Sequence, residues 1–171
     1  MANTASSEGS AADPACSAGH HSPNQSLEGT QILHPDYTQQ LLFAAANGYE
    51  AEVRSLLEGR AGANIEAENE DGDTPLLLAA QHGHERVLKI LLIYKANIEA
   101  QTIEGYTPLL LAAQIGHEGV LKVLLSYNAN TEATSNRTKS TALIDAAGNG
   151  DEIILTMLLD RGANIEAKRI D

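Results

Sequence analysis

Residues Gly72–Glu104 read GDTPLLLAAQHGHERVLKILLIYKANIEAQTIE, and residues Gly105–Asn136 read GYTPLLLAAQIGHEGVLKVLLSYNANTEATSN. Thr74 recurs as Thr107 and Asn97 as Asn130, a spacing of 33 residues in both cases (107 − 74 and 130 − 97). Self-similarity at such a period implies stacked units, none of which can bury its apolar face without a neighbour. Within one unit, Thr74 supplies an N-cap oxygen and Pro75 fits the first helical turn, where its missing N–H costs nothing. Leu76 to Ala80 form a short apolar helix whose alanines admit a second backbone at close range. Gly83 turns the chain, and a second helix is predicted over about Glu85 to Tyr94. Leu88, Leu91 and Leu92 make its core stripe at i, i+3, i+4. Val87 and Ile90 widen that stripe enough to meet a neighbour on each side.

The pattern G-x-T-P-L-x-x-A-A-x-x-G-H, an apolar helix, then A-N-I-E-A, resembles the ankyrin repeat. The resemblance runs from Gln39 to the C-terminus and recurs in register four times. It implies an all-α solenoid of stacked antiparallel helix pairs with hairpin-like loops. It also implies a curved array that binds other proteins. Repeats are expected at approximately 37–69, 70–102, 103–135 and 136–171, after a disordered tail over 1–36. The tail is rich in Ser, Ala, Gly, Pro and His and poor in large apolar residues. His20-His21, Ser22-Pro23 and the Asn24-Gln25-Ser26 sequon are read there as solvated or incidental features, and so is the Asn136-Arg137-Thr138 sequon further along the chain.

Composition sets further bounds. The chain has 171 residues, 43% of them hydrophobic, no Trp and one Phe, so its core is built from Leu, Ile, Val and Ala. A net charge of −12 argues against nucleic acid or an anionic membrane as partner. The single cysteine, Cys16, fits a reducing compartment. Neither a secretory signal nor a spanning segment is visible, so an intracellular and mostly cytoplasmic location is expected, the nucleus remaining open.

The first unit differs informatively. Glu52 and Ser55 stand where later units have Val87 and Ile90, Val120 and Val123, or Ile154 and Met157. Those positions therefore meet the preceding neighbour, and the first unit is an N-terminal cap. Lys95 and Asn128 close the second helices where Gly62 and Gly162 close others, and a lysine in a left-handed backbone there costs about 1 kcal/mol. Leu77 and Leu110 replace the histidine that many ankyrin repeats carry after Thr-Pro-Leu, so its hydrogen bonds are absent. Lys139 replaces a turn glycine, and an irregular tip is expected over Ser135 to Ser140. The last unit keeps the internal apolar pattern on its trailing side, which favours an alternative reading. There the chain is a piece of a longer array that scaffolds or targets an enzymatic or signalling domain, and it is monomeric unless that side is covered.

No residue set points to catalysis, a metal or a cofactor. Glu66, Glu99, Glu132 and Glu166 recur one unit apart and read as a structural position. His82 and His84 are expected to be separated by the turn at Gly83, and His84 and His117 are read as structural. What varies between units is the loop tip and the end of the first helix. Those positions are Glu68, Glu70, Asp71, Asp73, Gln81 and His82; then Gln101, Ile103, Glu104, Tyr106, Gln114 and Ile115; then Ser140 and Asn149. The resemblance places them on a concave protein-binding surface. Ile103, Tyr106 and Ile115 are apolar where solvent is expected, beside acids, which implies a partner with a basic segment and an apolar anchor. On this reading Tyr106→Ala weakens binding by about 1–3 kcal/mol. Asp145, standing where Phe43, Leu78 and Leu111 stand, is read as a partly exposed end position.

Overall fold

A computed structural model describes residues 36–58 and 63–168. The tail expected to be disordered lies, all but Asp36 itself, outside the described residues. Among the described residues, eight helices follow one another in four pairs: α1 (Tyr37–Asn47) and α2 (Glu50–Glu58), α3 (Pro75–Gln81) and α4 (Glu85–Ile93), α5 (Pro108–Ile115) and α6 (Glu118–Ser126), α7 (Ala142–Asn149) and α8 (Glu152–Asp160). The described residues contain no strand, and the all-α solenoid is what the periodicity predicts. No helix among them is long and apolar enough to cross a membrane.

The helix boundaries follow from local chemistry. Thr74 Oγ1 accepts the Leu77 N–H at 3.4 Å and Thr107 Oγ1 that of Leu110 at 3.3 Å, with proline next in line in both units. Asp36 caps α1 by accepting from the Thr38 and Gln39 N–H groups. At the other end, Gly48, Gly116 and Gly150 take the left-handed conformation that stops a helix and turns the chain.

First helices pack in succession from α1 through α3 and α5 to α7, and second helices from α2 through α4 and α6 to α8. Ala44, Ala79 and Ala112 are fully buried between first helices, where a larger side chain would hold the backbones apart. Leu88, Leu91, Leu121 and Leu124 are likewise fully buried, each contributing on the order of 1.5–3 kcal/mol of transfer free energy. The capping asymmetry is visible as burial. Val87, Ile90, Val120, Val123 and Ile154 are buried, whereas Glu52 and Ser55 at the same helical positions face solvent. Leu77 and Leu110 are also buried, so the position where a histidine is common serves here as apolar core.

Among the described residues, three other than glycine have positive φ: Lys95 (70°), Asn128 (61°) and Lys139 (53°). Lys95 closes α4 in the strained geometry anticipated for it. Replacing Lys95 by glycine relieves the Cβ clash while adding some unfolded-chain entropy. The variant is therefore expected to gain about 0.5–1 kcal/mol in urea unfolding. A loss of stability would show that the lysine side chain makes a compensating contact. Lys139 has a positive φ like Gly72 and Gly105, but its N–H reaches back four residues where theirs reach back three, so this tip departs from the regular turn as expected. The Lys139 N–H donates to Ser135 O, and hydroxyls link Ser135, Thr138 and Ser140 at 2.6 Å each before Ser140 Oγ donates to Asp145 Oδ1. That relay supplies locally the order that glycine permits elsewhere.

Candidate functional site

The loops between pairs begin with a repeated joint. Asn64, Asn97, Asn130 and Asn164 each accept, through Oδ1, the backbone N–H two residues on, which tightens the turn. The glutamate that follows reaches forward to the next unit. Glu66 Oε1 accepts the Asn97 N–H at 2.7 Å, Glu99 that of Asn130 at 2.8 Å, and Glu132 that of Asn164 at 2.9 Å. These carboxylates are thus bound to backbone a unit away and form no acid–base pair. The histidines serve a parallel joint. His84 Nε2 lies 2.9 Å from Ala46 O, and His117 Nε2 2.9 Å from Gln81 O, each reaching back one unit. Their rings lie over Gly48 and Gly83, where any Cβ would meet imidazole atoms within 3 Å. His82 and His84 are not separated as expected. Their rings stack with centroids 6.1 Å apart, because the left-handed Gly83 folds the chain back. Among the described residues no three His, Cys, Asp or Glu side chains converge as metal ligands.

Beyond these joints the chain rises into the tips. The Asn69 N–H donates to Asp73 O and the Thr102 N–H to Tyr106 O, closing each tip across Gly72 or Gly105. A Cβ on Gly72 would meet Ile103 at 2.9 Å, and one on Gly105 would meet Asn136 at 2.7 Å, so successive tips lie against one another. The Asn136 N–H adds a bond to Glu104 O.

Of the residues anticipated for the binding surface, Glu68, Glu70, Asp71, Gln81, His82, Gln101, Ile103, Glu104, Gln114, Ile115 and Asn149 face solvent, and Asp73 is half-buried. Two are corrected. Tyr106 is 5% exposed and Ser140 1% exposed, so neither presents a side-chain surface to a partner. They occupy one position: each directly precedes the threonine that starts a first helix, as Asp73 does. The chain turns downward there, and the side chain enters the core beneath the tip.

Asp71, Asp73, Gln81, Ile103, Glu104 and Gln114 come together, with the rim of Tyr106, around an open cleft of about 410 Å³. Thr102, Leu111 and Arg137 complete its lining and were not anticipated. Leu111 is invisible as a site residue because it continues the apolar helix, and Arg137 because it lies in the tip that breaks the period. Ile115 and Asn149 lie instead beside a second depression with Gln114, and the Asn149 amide donates to Gln114 O at 2.8 Å. Glu68, Glu70, His82 and Gln101 line neither.

The cleft is negative at one end. Arg137 approaches Glu104 at 3.2 Å and offsets its charge, leaving Asp71 and Asp73 uncompensated by any ion pair among the described residues. Partial burial holds the Asp73 carboxyl above its usual value, with the charge of Asp71 adding to that rise and a hydrogen bond with Asn69 opposing it. A cation placed in the cleft would gain from both carboxylates.

A stack of helix pairs joined by the glutamate bond at each seam, and by the histidine bond at the first two, defines a repeat solenoid. The chain belongs to the ankyrin repeat family: the family model described as ankyrin repeats (3 copies) matches residues 15–102 and 91–169. Ankyrin repeats are protein–protein interaction modules. The chain is also similar, at 34% identity over 62 residues, to a Plasmodium falciparum (isolate 3D7) protein named "Putative E3 ubiquitin-protein ligase". That match covers 36% of this chain, which spans about 1% of the relative's length.

Proposed function

We propose that this chain is a non-catalytic module that binds a partner protein across the face formed by its first helices and loop tips. The repeats would stretch over approximately 37–69, 70–102, 103–135 and 136–171. The observation that carries this reading is the cleft, where an apolar wall of Ile103 and Leu111 stands beside Asp71 and Asp73, which form no ion pair among the described residues. Its occupant is a peptide segment carrying Lys or Arg next to an apolar side chain. Binding to an already stacked surface orders little protein and so retains more of the contact free energy.

Selection of random peptides on the full chain tests this. Winners are expected to combine a basic and an apolar residue, and Asp71→Asn with Asp73→Asn to weaken them about 5- to 10-fold, equivalent to roughly 1–1.4 kcal/mol. In the complex the Asp73 carboxyl, followed by NMR titration, moves back down, because a bound cation favours its charged form. Winners without cations, or affinity indifferent to both substitutions, would sink the proposal.

A further inference from the structure

The third seam is built differently from the first two. At those, a histidine ring lies over the turn glycine of the preceding pair. His84 Nδ1 lies 2.7 Å from where a Cβ on Gly48 would stand, and His117 Nδ1 2.9 Å from the same place on Gly83. The counterpart in the fourth pair is Asp151, and the atom nearest that place on Gly116 is its Oδ2, at 3.7 Å. The carbonyl that a histidine would engage, Gln114 O, accepts instead from the Asn149 amide at 2.8 Å. Asp151 Oδ1 caps α8 by accepting the Ile154 N–H at 3.0 Å, a bond that neither His84 nor His117 makes to its own helix. Capping accounts for that oxygen alone, since Oδ2 has no hydrogen bond or ion pair among the described residues.

Two further departures meet at this spot. Ile115 and Ile153 are 48% and 51% exposed. Other units have Asn47, His82 or Asn149 at the first position and Ala51, Arg86 or Gly119 at the second, so large aliphatic side chains come to both positions at this seam alone. Ile115, Gly116, Asp151, Glu152 and Ile153 line one open depression of about 650 Å³. Glu152, like Asp151, forms no ion pair among the described residues. The eight residues of α5 separate the tip from this turn by about 12 Å.

We propose that this depression is a slot for an arginine side chain of a partner protein. A flat group suits the gap over Gly116, because flat imidazoles fill the gaps over Gly48 and Gly83. A cation suits it because carboxylates line it where the other seams have imidazole. The apolar stem of the arginine lies between Ile115 and Ile153, and its guanidinium donates to Asp151 Oδ2 and the Glu152 carboxylate. Lysine has the charge without the plane, and an aromatic side chain has the plane without the charge. The slot does not rest on the tip cleft, whose Asp71 and Asp73 take no part in it.

The test adds the peptide acetyl-Leu-Arg-Leu-amide to the full chain with its isoleucine methyl groups labelled for NMR. The Ile115 and Ile153 methyl signals are expected to move saturably. The same peptide with citrulline, which keeps the shape and loses the charge, should bind at least about 10-fold more weakly. The lysine peptide should also bind more weakly. Asp151→Asn should weaken the arginine peptide by a similar factor, because asparagine keeps the cap and loses the charge. Asp151→His should abolish the shifts by filling the slot from within. Asp71→Asn with Asp73→Asn should leave the affinity unchanged. An absence of saturable shifts, equal binding of the arginine peptide and either counterpart, or affinity indifferent to Asp151→Asn would overturn the slot. Shifts at Ile103 with Ile115 and Ile153 unmoved, lost on substituting Asp71 and Asp73, would place the arginine in the tip cleft instead.

Discussion

Tyr106→Ala is expected to lower the stability of the solenoid by about 3 kcal/mol, in the range for a buried aromatic truncated in a core. The ring is almost wholly removed from water among the leucines and alanines of neighbouring units. Its backbone also closes a tip: the N–H donates to Thr102 Oγ1 at 3.1 Å and the carbonyl accepts from the Thr102 N–H at 3.0 Å. Urea unfolding followed by circular dichroism measures the loss, and Tyr106→Phe should stay within about 1 kcal/mol because the apolar body is kept. A loss below that level for Tyr106→Ala would mean the ring is not buried in solution. The result also bears on binding data, since any weakening of a partner by this variant includes the cost of a disturbed cleft wall.

The second large effect has the opposite sign. Asp145→Leu is expected to stabilise the chain by about 1–2 kcal/mol. Asp145 stands where Leu78 and Leu111 bury their side chains, and its Oδ2 is buried with no hydrogen-bond partner, as is Thr141 Oγ1 nearby in sequence. A buried unsatisfied polar atom costs about 1–3 kcal/mol, and leucine at this position also adds apolar burial. Against that stands the lost bond from Ser140 Oγ, worth about 1 kcal/mol. Thermal and urea unfolding of the variant decide the sign. A destabilised Asp145→Leu would show that the hydroxyl relay through Ser140 and Thr138 holds the fourth tip in place.

Much of this was legible in the residues. The 33-residue period predicted the paired helices, and the exchange of Val and Ile for Glu52 and Ser55 predicted which side meets the preceding neighbour. The in-register recurrence of Glu66, Glu99 and Glu132 marked them as structural, although only the coordinates show that each holds the next unit's asparagine N–H. The errors share a cause. Tyr106 and Ser140 share a position with the half-buried Asp73, and variation there was read as exposure. That position instead lies just below the turn, where side chains of different size fill different gaps. Arg137 escaped notice because the extra residue ahead of Thr141 shifts its tip out of the period, so its pairing with Glu104 cannot be read by aligning units.

The glutamate-to-asparagine bond has a consequence for how such a chain can change length. Glu66 recognises only a main-chain N–H at a set distance along the next unit, and Asn97, Asn130 and Asn164 all present one. Excising residues 97–129 would bring Asn130 to the carboxylate that Asn97 now meets, with Ile154 and Met157 taking the places of Val120 and Val123 across the new seam. Units joined through backbone are interchangeable parts, so gene-level duplication or loss of a whole repeat can lengthen or shorten the array without any joint having to be reinvented.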